Sequence, residues 1–137
     1  MRLRVLIGGL SFFAVAIAVA ALPLVAHGHS VNVWKPCTIV GTTGDDLLAG
    51  TSGPDVICGL GGDDTIGGNS GADIIRAGGG NDRIQGDAGK DVLMGQAGAD
   101  WIWGRDGVHD HLTCGKGHDH YRADRSIDRL RGCEEVM

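Results

Sequence analysis

GTTGDDLLA GTSGPDVIC GLGGDDTIG GNSGADIIR AGGGNDRIQ GDAGKDVLM GQAGADWIW, running from Gly41 to Trp103, is the stretch that decides the fold. Set in blocks of nine, it keeps an Asp in one column seven times: Asp46, Asp55, Asp64, Asp73, Asp82, Asp91 and Asp100. A glycine stands two residues before each (Gly44, Gly53, Gly62, Gly71, Gly80, Gly89, Gly98). A large aliphatic stands two residues after each (Leu48, Ile57, Ile66, Ile75, Ile84, Leu93, Ile102). A further glycine column opens the blocks, and only Ala77 interrupts it.

Each slot of the unit G-x-x-G-x-D-x-U-x, with U the aliphatic, has a physical task. The glycines permit a tight, partly left-handed turn whose carbonyls can face inward. The Asp places a hard anionic oxygen beside those carbonyls. The last three residues form a very short strand, on which U points to one side and its two neighbours to the other. One unit buries one aliphatic and cannot fold alone, so the period predicts stacked coils of a parallel β-solenoid.

The pattern resembles the RTX, or haemolysin-type, calcium-binding nonapeptide repeat. The resemblance implies an all-β, right-handed parallel β-roll in which two units make one coil and turns eighteen residues apart hold calcium between them. The family's aspartate slot falls on the seven Asp residues, stacked as Asp46 with Asp64, Asp55 with Asp73, Asp64 with Asp82, Asp73 with Asp91, and Asp82 with Asp100. About five Ca2+ ions are expected, one per interior pair. The chain departs from the family at the second slot, where Gly is usual. Here that slot holds Thr42, Thr51, Leu60, Asn69, Asp87 and Gln96, with Gly only at Gly78.

Upstream, Met1-Arg2-Leu3-Arg4 is cationic and Val5 to Val25 is apolar, with Ala26 and Gly28 as small residues before a cut after Gly28. Residues 1–28 therefore read as a secretory signal peptide, with a retained anchor as the competing reading. Residues 29–40, with Trp34 and Pro36, read as an N-terminal cap over the first coil. Without the leader, ten Lys and Arg face seventeen Asp and Glu, a net charge near −7. That balance argues against nucleic acid and anionic membrane as partners. Fifteen of the acids are Asp, the short carboxylate of turns and of oxygen-rich calcium loops.

Downstream the register stutters. The acid after Gly107 arrives one residue late, at Asp110, and the next is Asp119, with Leu112 and Tyr121 in core slots. Residues 104–122 read as degenerate repeats in which Asp110 and Asp119 are weaker metal ligands, and residues 123–137 as a C-terminal cap. Cys37, Cys58, Cys114 and Cys133 imply disulfides in an exported chain. Four cysteines allow three pairings, and the sequence does not choose among them. Cys37 with Cys58 and Cys114 with Cys133 is the expected set, because the two pairs lie at opposite ends of a coil stack too long for cross-pairing.

His109, His111, His118 and His120 suggest a transition-metal cluster, but consecutive units lie on opposite edges of a roll, so solvated cap residues are expected. Trp101 and Trp103 flank Ile102 and point outward; burial under residues 104–136 is expected ahead of a sugar or peptide platform. Val56, Ile74 and Val92 share an outward slot and are expected as an ordinary β-branched surface row. No nucleophile with a base and no His-Glu-x-x-His appears, so no enzyme is expected. The function read from the sequence is an exported, extracellular, monomeric calcium-binding protein whose folding is coupled to the ion. The alternative is a calcium-ordered adhesion module that takes a cell-wall polymer or a protein as ligand.

Overall fold

The computed structural model describes residues 35–124, 126–133 and 135–136. The leader lies outside them, as do residues 29–34, half of the N-terminal cap. Among the described residues, twelve short strands, β1 to β12 in chain order, alternate between two parallel sheets. The first sheet stacks β1 (Ile39–Val40), β3 (Val56–Gly61), β5 (Ile74–Gly79), β7 (Val92–Ala97), β9 (His111–Lys116) and β11 (Arg129–Arg131). The second stacks β2 (Leu47–Ala49), β4 (Thr65–Gly67), β6 (Arg83–Gln85), β8 (Trp101–Trp103), β10 (His120–Arg122) and β12 (Glu135–Val136). This is the parallel β-solenoid that the nine-residue count predicts.

Register follows from the period. Ile57 pairs with Ile75 and Ile75 with Leu93, each eighteen residues on, so equal slots stack. The turns continue the ladder: Gly50 N–H donates to Gly67 O at 2.8 Å and Thr65 N–H to Asp46 O at 2.9 Å. Every coil thereby satisfies its backbone on the next one, which a lone coil could not do. Between the sheets the aliphatic slots meet in one core, where Ile57, Ile75, Ile84, Leu93 and Ile102 are fully buried and Ile66 and Leu112 nearly so. Each such side chain contributes roughly 1.5 to 3 kcal/mol.

The stutter is absorbed in a turn. Residues 104–113 form a ten-residue unit, so Leu93 pairs with Leu112 and Ile102 with Tyr121 at a spacing of nineteen, and both newcomers occupy core positions. The coil then continues further than the repeats suggest. Ala123 to Arg131 is one more nine-residue unit, with Asp128 in the acid slot and Leu130 paired to Leu112. The C-terminal segment thus closes the solenoid with the solenoid's own unit.

Both disulfides form as expected, Cys37 with Cys58 and Cys114 with Cys133. Two expectations about the outer faces are overturned. Val56, Ile74 and Val92 are not a surface row but a second buried cluster, 7%, 7% and 8% exposed, packed with Cys37 and Met94. The Cys37–Cys58 bridge and the Arg76 guanidinium, which donates to Lys35 O at 3.2 Å, draw the chain before β1 across that face. Trp101, expected under the downstream segment, is 36% exposed, because residues 104–131 extend the coils instead of folding back.

Candidate metal centre

The acid slot builds two carboxylate columns, one along each line of turns. Asp46, Asp64, Asp82, Asp100 and Asp119 form one; Asp55, Asp73, Asp91, Asp110 and Asp128 form the other. Within a column each Asp Oδ1 accepts the backbone N–H of the Asp one coil earlier. Asp64 accepts from Asp46 at 2.9 Å, Asp82 from Asp64 at 2.8 Å and Asp100 from Asp82 at 2.9 Å. The same bond crosses the ten-residue unit, from Asp91 to Asp110 at 2.8 Å and from Asp100 to Asp119 at 3.0 Å. It ends at Asp128, which accepts from Asp110 at 2.9 Å.

The second oxygen divides the columns into two classes. Oδ2 of Asp64, Asp73, Asp82, Asp91, Asp100, Asp110 and Asp119 is buried without a hydrogen-bond partner. Oδ2 of Asp46 instead accepts Thr42 N–H at 2.5 Å and the Thr42 hydroxyl at 3.0 Å; Oδ2 of Asp55 accepts the same pair from Thr51 at 2.6 and 2.9 Å. Asp128 Oδ2 accepts Asp124 N–H at 2.6 Å.

Turn handedness explains the division. The second slot is left-handed at Leu60 (φ 82°), Asn69 (70°), Asp87 (61°) and Gln96 (80°), and at Gly78 and Gly115. In those six turns the slot amide no longer reaches the carboxylate, and Oδ2 is left open. A β-branched Thr is poorly tolerated at positive φ, so Thr42 and Thr51 keep the other turn, and amide and hydroxyl close on the acid. Asp110 is open by a different route, its turn carrying the extra residue. The first-slot glycine makes the opening oxygen-lined. A Cβ on Gly68 would lie 2.6 Å from Gly86 O and 2.7 Å from Asp73 Oδ2, so glycine lets a carboxylate oxygen and a carbonyl of the next coil converge there; the Asp82 turn has Ala77 in the same slot.

An open, buried carboxylate is electrostatically costly. Burial, followed by the neighbouring Asp charges, raises Asp64, Asp73 and Asp82 above the usual carboxylate range. It pushes Asp91 and Asp100 up to about 6 and Asp110 to about 7. Asp55 is shifted the opposite way, held low chiefly by the Thr51 backbone and hydroxyl hydrogen bonds. Rows of desolvated carboxylate oxygens beside backbone carbonyls are the hard, all-oxygen donor set that calcium takes.

The predicted ligands therefore fall into two groups. Asp64, Asp73, Asp82, Asp91 and Asp100 present open oxygens, and Asp110 and Asp119 present the same oxygen as the interior repeats. Asp46 and Asp55 stand in the columns with their acids closed. Asp128 was missed, hidden in a unit that opens with Ala123 and lacks glycine. The histidines are dispersed: His111 lies on the first sheet and His120 on the second against Trp101, while His109 Nδ1 meets Ile127 O.

Fold and donor set define a class, a parallel β-solenoid with calcium-type carboxylate turns. The model of the RTX calcium-binding nonapeptide repeat matches residues 40–75, 67–102 and 85–108, half of the chain, and the chain belongs to that family. Calcium is the ion the family implies. No curated protein and no solved structure matches the chain.

Proposed function

We propose that the chain is an exported, non-enzymatic calcium-binding protein in which ion binding and coil formation are one process. The observation that carries this reading is the row of buried, unpartnered Oδ2 atoms in the turns whose second slot is left-handed. Asp64, Asp82, Asp100 and Asp119 would hold ions along one column, and Asp73, Asp91 and Asp110 along the other. Counted between successive open acids, three sites lie in the first column and two in the second, so the expected total stays at about five while the set moves one coil towards the C-terminus. Asp46 and Asp55 serve as end pieces satisfied by their own threonines.

Calcium, when bound, supplies positive charge to the open oxygens. The chain's residues do the rest: the ladder amides fix Oδ1, the first-slot glycines admit carbonyls, and the aliphatic slots hold adjacent coils in register. Stacked carboxylates about one strand spacing apart oppose the fold without the ion, so binding free energy is folding free energy. Export fits the two disulfides, which persist in oxidising surroundings.

The test is a calcium titration of the oxidised protein by far-UV circular dichroism, with calorimetry to count ions. A cooperative gain of β-signal with about five ions is expected. An equally β-rich spectrum in excess chelator would overturn the coupling, and absence of calorimetric binding would overturn the metal sites.

A further inference from the structure

The outer face of the second sheet carries a set of side chains for which the calcium turns have no use. At the two outward slots of three adjacent strands stand Arg83 and Gln85, Trp101 and Trp103, and His120 and Arg122, paired strand to strand as Arg83 with Trp101 with His120 and Gln85 with Trp103 with Arg122. The tryptophans occupy the middle of this grid. Trp101 packs on the His120 ring at 4.7 Å between centroids and on Trp103 at 6.0 Å, both tilted by 37°. Beside them opens a cleft of about 300 Å³ lined by Gln85, Asp87, Trp103, Arg105 and Arg122.

We infer that this face binds an acidic oligosaccharide, with the Trp101–Trp103 surface under the sugar rings and Arg122 and Arg83 on the carboxylates. Three strands span about 10 Å, the length of roughly two pyranose rings. The C–H face of a pyranose packs on an indole, whose large rigid surface orders little on binding. Gln85 Nε2 donates to Asp87 Oδ1, and the pair keeps a second amide hydrogen and further oxygen lone pairs for hydroxyl groups, the donors and acceptors a polyol requires. Charge sets the class of sugar. In a chain with an excess of acids, this face gathers Arg83, Arg105 and Arg122, and among the described residues an ion pair forms at Arg105, with Asp124 at 3.7 Å. Guanidinium groups pair planar carboxylates through two parallel hydrogen bonds, which a neutral sugar cannot accept in that form.

The site needs the stacked coils but no calcium ligand, so it rests on the fold and is tested apart from the ion. Oxidised protein is titrated under conditions giving the β-type spectrum, whether or not calcium is required for it. The probes are a hyaluronan hexasaccharide, neutral chitohexaose and a hexaglutamate peptide, followed by tryptophan fluorescence and calorimetry. Binding of the hyaluronan probe is expected to be at least about tenfold tighter than that of either control. Trp103→Ala should abolish it with the spectrum unchanged, and Arg122→Gln should remove the preference for the acidic over the neutral sugar. No binding, or equal binding of the neutral sugar, overturns the inference. Equal binding of hexaglutamate would make the face a site for acidic peptides, and wild-type affinity in both variants would place any sugar elsewhere.

Discussion

One residue per turn decides whether an aspartate is open or closed. In these turns the second slot does this through its backbone dihedral: Thr42, Thr51 and Asp124 keep the amide on the acid, while Leu60, Asn69, Gly78, Asp87, Gln96 and Gly115 go left-handed and release it. Non-glycine residues there lose on the order of 1 kcal/mol each. Asn69 recovers part of this by donating to Gly50 O at 2.7 Å, whereas Leu60 and Gln96 show no comparable bond. Leu60→Gly and Gln96→Gly are therefore expected to raise stability by about 1 kcal/mol each in calcium, measured by urea unfolding. Thr51→Gly should open Asp55 and add about one ion to the calorimetric count; an unchanged count would show that the turn does not gate the acid. A pH effect follows from the raised acids. Asp91, Asp100 and Asp110 hold a proton more tightly folded than unfolded, so stability without calcium falls as pH rises from about 4 to about 7. In chelator, the β-signal at pH 5 should exceed that at pH 7.5. With limiting calcium the order should reverse, because protons then compete with the ion.

At the scale of strands and turns, the nine-residue count carried most of the information. Each strand of the repeats sits where its aliphatic slot predicts, because side-chain alternation and coil length are local properties that the period encodes. What covers an outer face is not local. The burial of Val56, Ile74 and Val92 depends on where a disulfide anchors the incoming chain, and the exposure of Trp101 depends on the downstream segment choosing to coil. Asp128 escaped notice because its unit has lost its glycines while keeping its spacing. Within the nine-residue repeats from Gly41 to Trp103 the open and closed acids were legible in principle, from the contrast between Thr and non-β-branched residues at one slot, but Asp110 and Asp128 downstream do not follow it. The end elements lean on covalent ties: the bridge from Cys114 closes β11 and the segment after it onto β9. Replacing Cys114 and Cys133 together by Ser should cost about 3 kcal/mol and raise the calcium midpoint for folding. An unchanged midpoint would mean that β11 docks without its tie.

For the described solenoid as a whole, stability is close to a sum over neighbouring coils. Unfolding on calcium removal should then start at an end and spread, and hydrogen exchange should be slowest at Ile75, Ile84 and Leu93, in the middle of the stack. Uniform exchange rates along the coils would instead mark a single cooperative unit. The ends have a further meaning. Interior strands of the first sheet are six residues long, but β1 has two and β11 three; in the second sheet β12 has two. A stack in which each coil is the template for the next has no intrinsic reason to stop, and a long bare final strand would accept the first coil of another copy and grow into a fibre. The end strands of the first sheet, β1 and β11, are shorter than the interior ones and each has a cystine close by, so the end coils present less bare ladder to another copy than an interior coil would.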